Sequence, residues 1–152
     1  LLAPRPAAGV PKSLRFLSEL AELTPVMWAV STDDITQTAE RLASAGYEVT
    51  GPVPGSRRQQ NGSTLHWTVF DMADPNLAGA PFFIKWSETS DHPSASSPGG
   101  CELGSLVIED PEPDRLSGLI QLLDLNINVE QAPASLLTIV LRCPNGEIRL
   151  GR

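Results

Sequence analysis

A chain of 152 residues with a net charge of −7 and 41% hydrophobic content has room for one compact core, or for two small modules sharing one. Its basic residues are scattered, with Arg57 and Arg58 the only adjacent pair. That distribution excludes nonspecific binding to nucleic acid or to an anionic membrane, since both need clustered cations. No run reaches the roughly 18 apolar residues that cross a bilayer, and the early prolines do not read as a signal peptide. A cytoplasmic location is expected, with Cys101 and Cys143 as two separate reduced thiols that lack metal-ligand spacing.

Residues 1–24 read as a Pro- and Ala-rich start followed by a helix over 11–23, stopped by Pro25. The stretch VMWAVSTDDITQTAERLASAGYEV, residues 26–49, then reads as strand, turn, amphipathic helix and strand. Thr32 or Asp33 is the expected cap. Ile35, Ala39 and Leu42 form the apolar stripe, and Gly46 is the residue that ends the helix. Residues 51–63 look like a turn-rich loop. Strands are expected over 65–70 and 82–86, which completes a first module over 25–87.

Residues 88–100, rich in Ser, Pro and Gly, read as a linker. A second module over 101–152 repeats the order: a strand over 103–108 and a helix opened by Pro111 and Pro113. Leu116, Leu119, Ile120 and Leu123 form that helix's buried stripe, and short strands follow over 127–129, 136–141 and 148–150. The expected fold is α+β: two tandem β-α-β-β-β half-barrel modules with helices outside and a concave cleft inside.

Two such units in one chain resemble the vicinal oxygen chelate superfamily. The stretches WAVSTDDI, SRRQQNGSTLHW, FFIKWSETSDHPS and PNGEIRL are similar to glyoxalase-like domain proteins. The resemblance implies a further module upstream, of which LLAPRP would follow the last strand. It also implies, in metal-dependent members, a His at the first strand and an acid on the last strand of each module. Those positions fall at Pro25, Lys85, Leu103 and Arg149. Neither a cation nor a side chain without a donor atom holds a divalent metal, so no metal or other cofactor is expected here.

The residues left as candidates for binding a ligand are Arg57, His66, Lys85, His92 and Arg149. Arg57 is read on a loop over a cleft, and His66 on a strand beside Trp67. His92 belongs to the SDHPS stretch. Lys85 and Arg149 are expected on the concave side of matching last strands, where a small anion would neutralise them. Trp28, Trp67 and Trp86 read as core, or as a floor for an apolar ligand. The expected partners are therefore a small anionic or apolar ligand and a second copy of the chain. The expected function is metal-free small-molecule binding or an architectural role. The alternative is part of a metal-dependent lyase, isomerase or dioxygenase whose ligands lie upstream.

Overall fold

The structure, a computed structural model, describes residues 23–59, 61–97 and 99–151. The helix expected over 11–23 lies almost entirely outside them. Among the described residues the fold has two α-helices and two four-stranded mixed sheets, in two runs of β-α-β-β-β.

The first run comprises β1 (Ala29–Ser31), α1 (Ile35–Ser44), β2 (Val49–Arg58), β3 (Thr64–Met72) and β4 (Phe82–Trp86), with sheet order β1-β4-β3-β2. The cap of α1 is Asp34, one residue later than expected, and its side chain accepts the Gln37 N–H at 2.9 Å. Ile35, Ala39 and Leu42 are its buried residues, as their spacing predicts. They share a core with Phe70 and Phe83, whose stacked rings lie 4.4 Å apart on neighbouring strands.

The loop expected over 51–63 is mostly strand. β2 pairs with β3 as far as Arg58↔Thr64, despite Pro52 and Pro54. It tolerates them because it is the edge strand, so a missing N–H need not break a ladder. A bulge between Thr50 and Val53 absorbs the cis Gly51–Pro52 peptide.

The second run comprises β5 (Glu102–Asp110), α2 (Pro113–Leu122), β6 (Asn128–Gln131), β7 (Leu136–Cys143) and β8 (Gly146–Leu150). Its element order repeats the first, but its sheet order, β6-β5-β7-β8, does not. β1 and β2 lie at opposite edges of their sheet, whereas β5 and β6 are parallel neighbours.

One buried cluster draws on both halves, adding Leu77, Ile108, Leu116, Leu119, Ile120 and Leu137 to the residues named above. The β3–β4 connection, residues 73–81, joins them. Leu77 is buried, and a Cβ on Gly79 would stand 2.9 Å from Ile108 Cγ2 and 3.1 Å from Leu116 Cδ2. Trp28 Nε1 donates to the Gly79 carbonyl at 2.9 Å, and Asp74 forms an ion pair with Arg115 of α2. Arg115 also lies over the Tyr47 ring, whose hydroxyl donates to the Arg115 carbonyl. α2 is thus held between its own sheet and the first half.

Cys101 and Cys143 form a disulfide across the end of the β5–β7 ladder, closing a sequence separation of 42. This corrects the expectation of two separate thiols: the pairing Glu102↔Arg142 brings the adjacent cysteines face to face. Sequence distance had concealed a contact that strand register makes inevitable.

Leu119 is fully buried, so Leu119→Ala should lower the unfolding free energy by about 2–5 kcal/mol in denaturant titration. A loss under about 0.5 kcal/mol would show that α2 is not packed as described. The disulfide makes a separate prediction. Unfolding the protein without reductant should expose no free thiol, and replacing both cysteines by serine should cost about 2–4 kcal/mol. Two titratable thiols in the unfolded, unreduced chain would contradict it.

Candidate functional site

Alternation along β3 and β4 decides which side chains meet. Register pairs Phe70 with Phe83, Thr68 with Lys85 and Trp67 with Trp86. Lys85 and His66 therefore stand on the face that Phe70 and Phe83 turn toward α1. Leu65, Trp67, Val69, Ile84 and Trp86 point the other way. The expected position of Lys85 on a helix-free concave face is thus corrected: an odd step from the buried Phe83 puts it on the helix-bearing side. It sits toward the strand end, past the fully buried residues.

There the surface forms an open groove of about 490 Å³. His66, Thr68 and Lys85 line it from the strands, and Ser87, Glu88 and Thr89 line it from the segment that follows β4. Trp67 and Trp86 complete the lining; their rings meet edge to face at 5.6 Å. Lys85 is half-buried and forms no ion pair among the described residues. Gly55 keeps Trp67 in place by having no side chain. A Cβ there would lie 2.5 Å from the indole Nε1, closer than atoms pack.

The stretch read as a linker closes back on this end of the sheet. The His66 N–H donates to Ser90 Oγ at 2.9 Å, and the His66 carbonyl accepts from the Ser87 N–H at 3.0 Å. His92 caps a short 3-10 turn, Pro93–Ser96, by accepting the Ser94 N–H on Nδ1. Its ring packs edge to face on Trp86 at 5.4 Å. His92 thus shapes the wall of the groove, but it is not among the residues that line it.

Of the five candidates, the fold brings His66 and Lys85 together in one groove. Arg57 pairs with Leu65, so it projects from the opposite face, on a strand rather than an overhanging loop. Arg149 lies on β8 of the other sheet, opposite Val140. Ser87, Glu88 and Thr89 were not singled out from the sequence. The signal available was local: hydroxyls and a His-Pro-Ser cap directly after a strand bearing a lysine.

The buried Asp110 is a structural carboxylate. Its Oδ1 accepts the Glu112 N–H and its Oδ2 the Ser135 hydroxyl, fixing the turn into α2. A second cleft, of about 550 Å³, lies where residues 24–28, the 71–82 stretch and residues 135–137 meet. Among the described residues, no three His, Cys, Asp or Glu side chains converge as metal ligands would. The four positions that resemblance assigns to a metal hold Pro25, Lys85, Leu103 and Arg149, which do not fit one. Among the described residues, no helix is long and apolar enough to cross a membrane.

No curated protein matches the chain. A crystal structure of a hypothetical protein from Staphylococcus aureus is similar in fold, with a TM-score of 0.58 at 16% identity. The similarity covers 80% of this chain and 63% of that one, so the chain spans less than two thirds of its length. A family model described as glyoxalase-like domain matches residues 1–123 and stops before β6, β7 and β8. Matched over most of its sequence, the chain belongs to the glyoxalase-like domain family of the vicinal oxygen chelate superfamily.

Proposed function

We propose that this chain is a metal-independent binding module for a small carboxylate, held in the groove beside Lys85. The observation that carries the reading is Lys85 itself: a half-buried lysine, lining a groove and without an ion-pair partner among the described residues. An anion bound in the groove would pair with that ammonium. A carboxylate supplies that anion and accepts hydrogen bonds from the Thr68 hydroxyl and from one of Ser87 and Thr89, whose hydroxyls bond each other at 2.9 Å. The volume suits a small molecule. His66 lies within the groove as a further donor or proton carrier.

The donor set supports binding without a metal, since the groove offers an ammonium, hydroxyls, an imidazole and one carboxylate. The cytoplasmic location rested partly on two reduced thiols. With Cys101 and Cys143 joined, an oxidising compartment becomes the better reading, because disulfides persist there.

The test is a tryptophan-fluorescence titration with phenylacetate. Saturable quenching is expected, unchanged by a chelator, weakened about tenfold or more by Lys85→Met and unaffected by Arg149→Met. Equal affinity of the wild type and Lys85→Met, or loss of binding with the chelator, would contradict the reading.

A further inference from the structure

The groove that holds Lys85 carries a second charge, of opposite sign. Glu88 lines it from the segment after β4. Neither side chain takes part in an ion pair among the described residues, and Lys85 Nζ stays more than 4.0 Å from the Glu88 oxygens. An ammonium and a carboxylate thus line one space without neutralising each other.

The backbone sets their positions. Lys85 belongs to β4, where it sits opposite Thr68, and the strand ends at Trp86. The chain then turns. The Ser90 N–H donates to the Ser87 carbonyl at 3.0 Å, which makes Glu88 and Thr89 the central residues of a β-turn. Both ends of this turn are pinned to the His66 backbone, whose carbonyl accepts the Ser87 N–H at 3.0 Å and whose N–H donates to Ser90 Oγ at 2.9 Å. Within the turn the Thr89 N–H donates to Ser87 Oγ at 3.3 Å, and the Ser87 and Thr89 hydroxyls bond each other at 2.9 Å. These bonds exist without a ligand, so binding need not order the turn that presents Glu88.

The charge of a ligand decides how it meets this pair. A simple carboxylate at Lys85 shares the groove with the Glu88 carboxylate, and like charges repel. A carboxylate that also bears an ammonium finds an opposite charge for each of its own. Glu88 is exposed, so water and salt weaken its share. The contrast between attraction for one ligand and repulsion for the other still separates them.

We propose that the groove selects a small amino acid, with the carboxylate of the ligand at Lys85 and its ammonium at Glu88. This rests on the reading of Lys85 as the carboxylate's partner, and it adds Glu88 as the residue that sets specificity.

Tryptophan-fluorescence titrations of the full chain at neutral pH test it with two probes, phenylacetate and phenylglycine. They differ by one amino group on the α-carbon, which is protonated at that pH. The wild type should bind phenylglycine at least about threefold more tightly than phenylacetate. Glu88→Gln should remove the preference by weakening phenylglycine and strengthening phenylacetate, and Glu88→Lys should invert it. Damage to the fold would instead weaken both probes together. A wild type that binds phenylacetate at least as tightly as phenylglycine, or a preference that survives Glu88→Gln, would overturn the proposal. If Lys85→Met still weakened phenylacetate in that case, the carboxylate reading would stand without it. Binding of neither probe would overturn both.

Discussion

The two halves depend on one close approach. Gly79 brings the β3–β4 connection so near Ile108 and Leu116 that a single added carbon would clash, and Leu77 fills the space beside it. Neither sheet has a helix layer that closes its core independently. α1 contributes only the narrow stripe of Ile35, Ala39 and Leu42, while α2 is wedged against the first half. With interiors packed at crystal-like density, removing the connection would leave Ile108, Leu116 and Leu119 without opposing atoms. Trp28, Asp74 and Arg115 hold the connection in position with directional bonds.

The groove inherits its shape from this arrangement. Phe70 and Phe83 are fixed in the core, and two strand residues farther on Thr68 and Lys85 emerge on the same face at the margin of the buried zone. The segment after β4 then closes the end of the sheet, anchored by Ser90 on the His66 backbone and by His92 on Trp86. A lysine that leaves a packed strand at such a margin keeps its stem buried and its charge available.

Periodicity made the elements and the buried stripes legible in the sequence, because Ile35, Ala39 and Leu42, and likewise Leu116, Leu119 and Ile120, repeat at helical spacing. It also gave the correct faces for β3, with Leu65 and Trp67 opposite Phe70. Pairing was not legible. The different strand order of the second half and the meeting of Cys101 with Cys143 are facts of pairing, which no local pattern encodes. Pro52 and Pro54 concealed β2 because proline signals a loop unless the strand is known to be an edge. Of the candidate residues, His66 and Lys85 came together, while Arg57 was displaced by one alternation and Arg149 by membership of another sheet.

The central claim is that both sheets share one cooperative core through the 73–81 connection. Native-state hydrogen exchange tests it most directly, by comparing the slowest amides of β3 and β4 with those of β5 and β7. The account predicts a single exchange free energy for both sets, lowered together in Gly79→Ala. Two separate values, or a Gly79→Ala effect confined to one sheet, would contradict it.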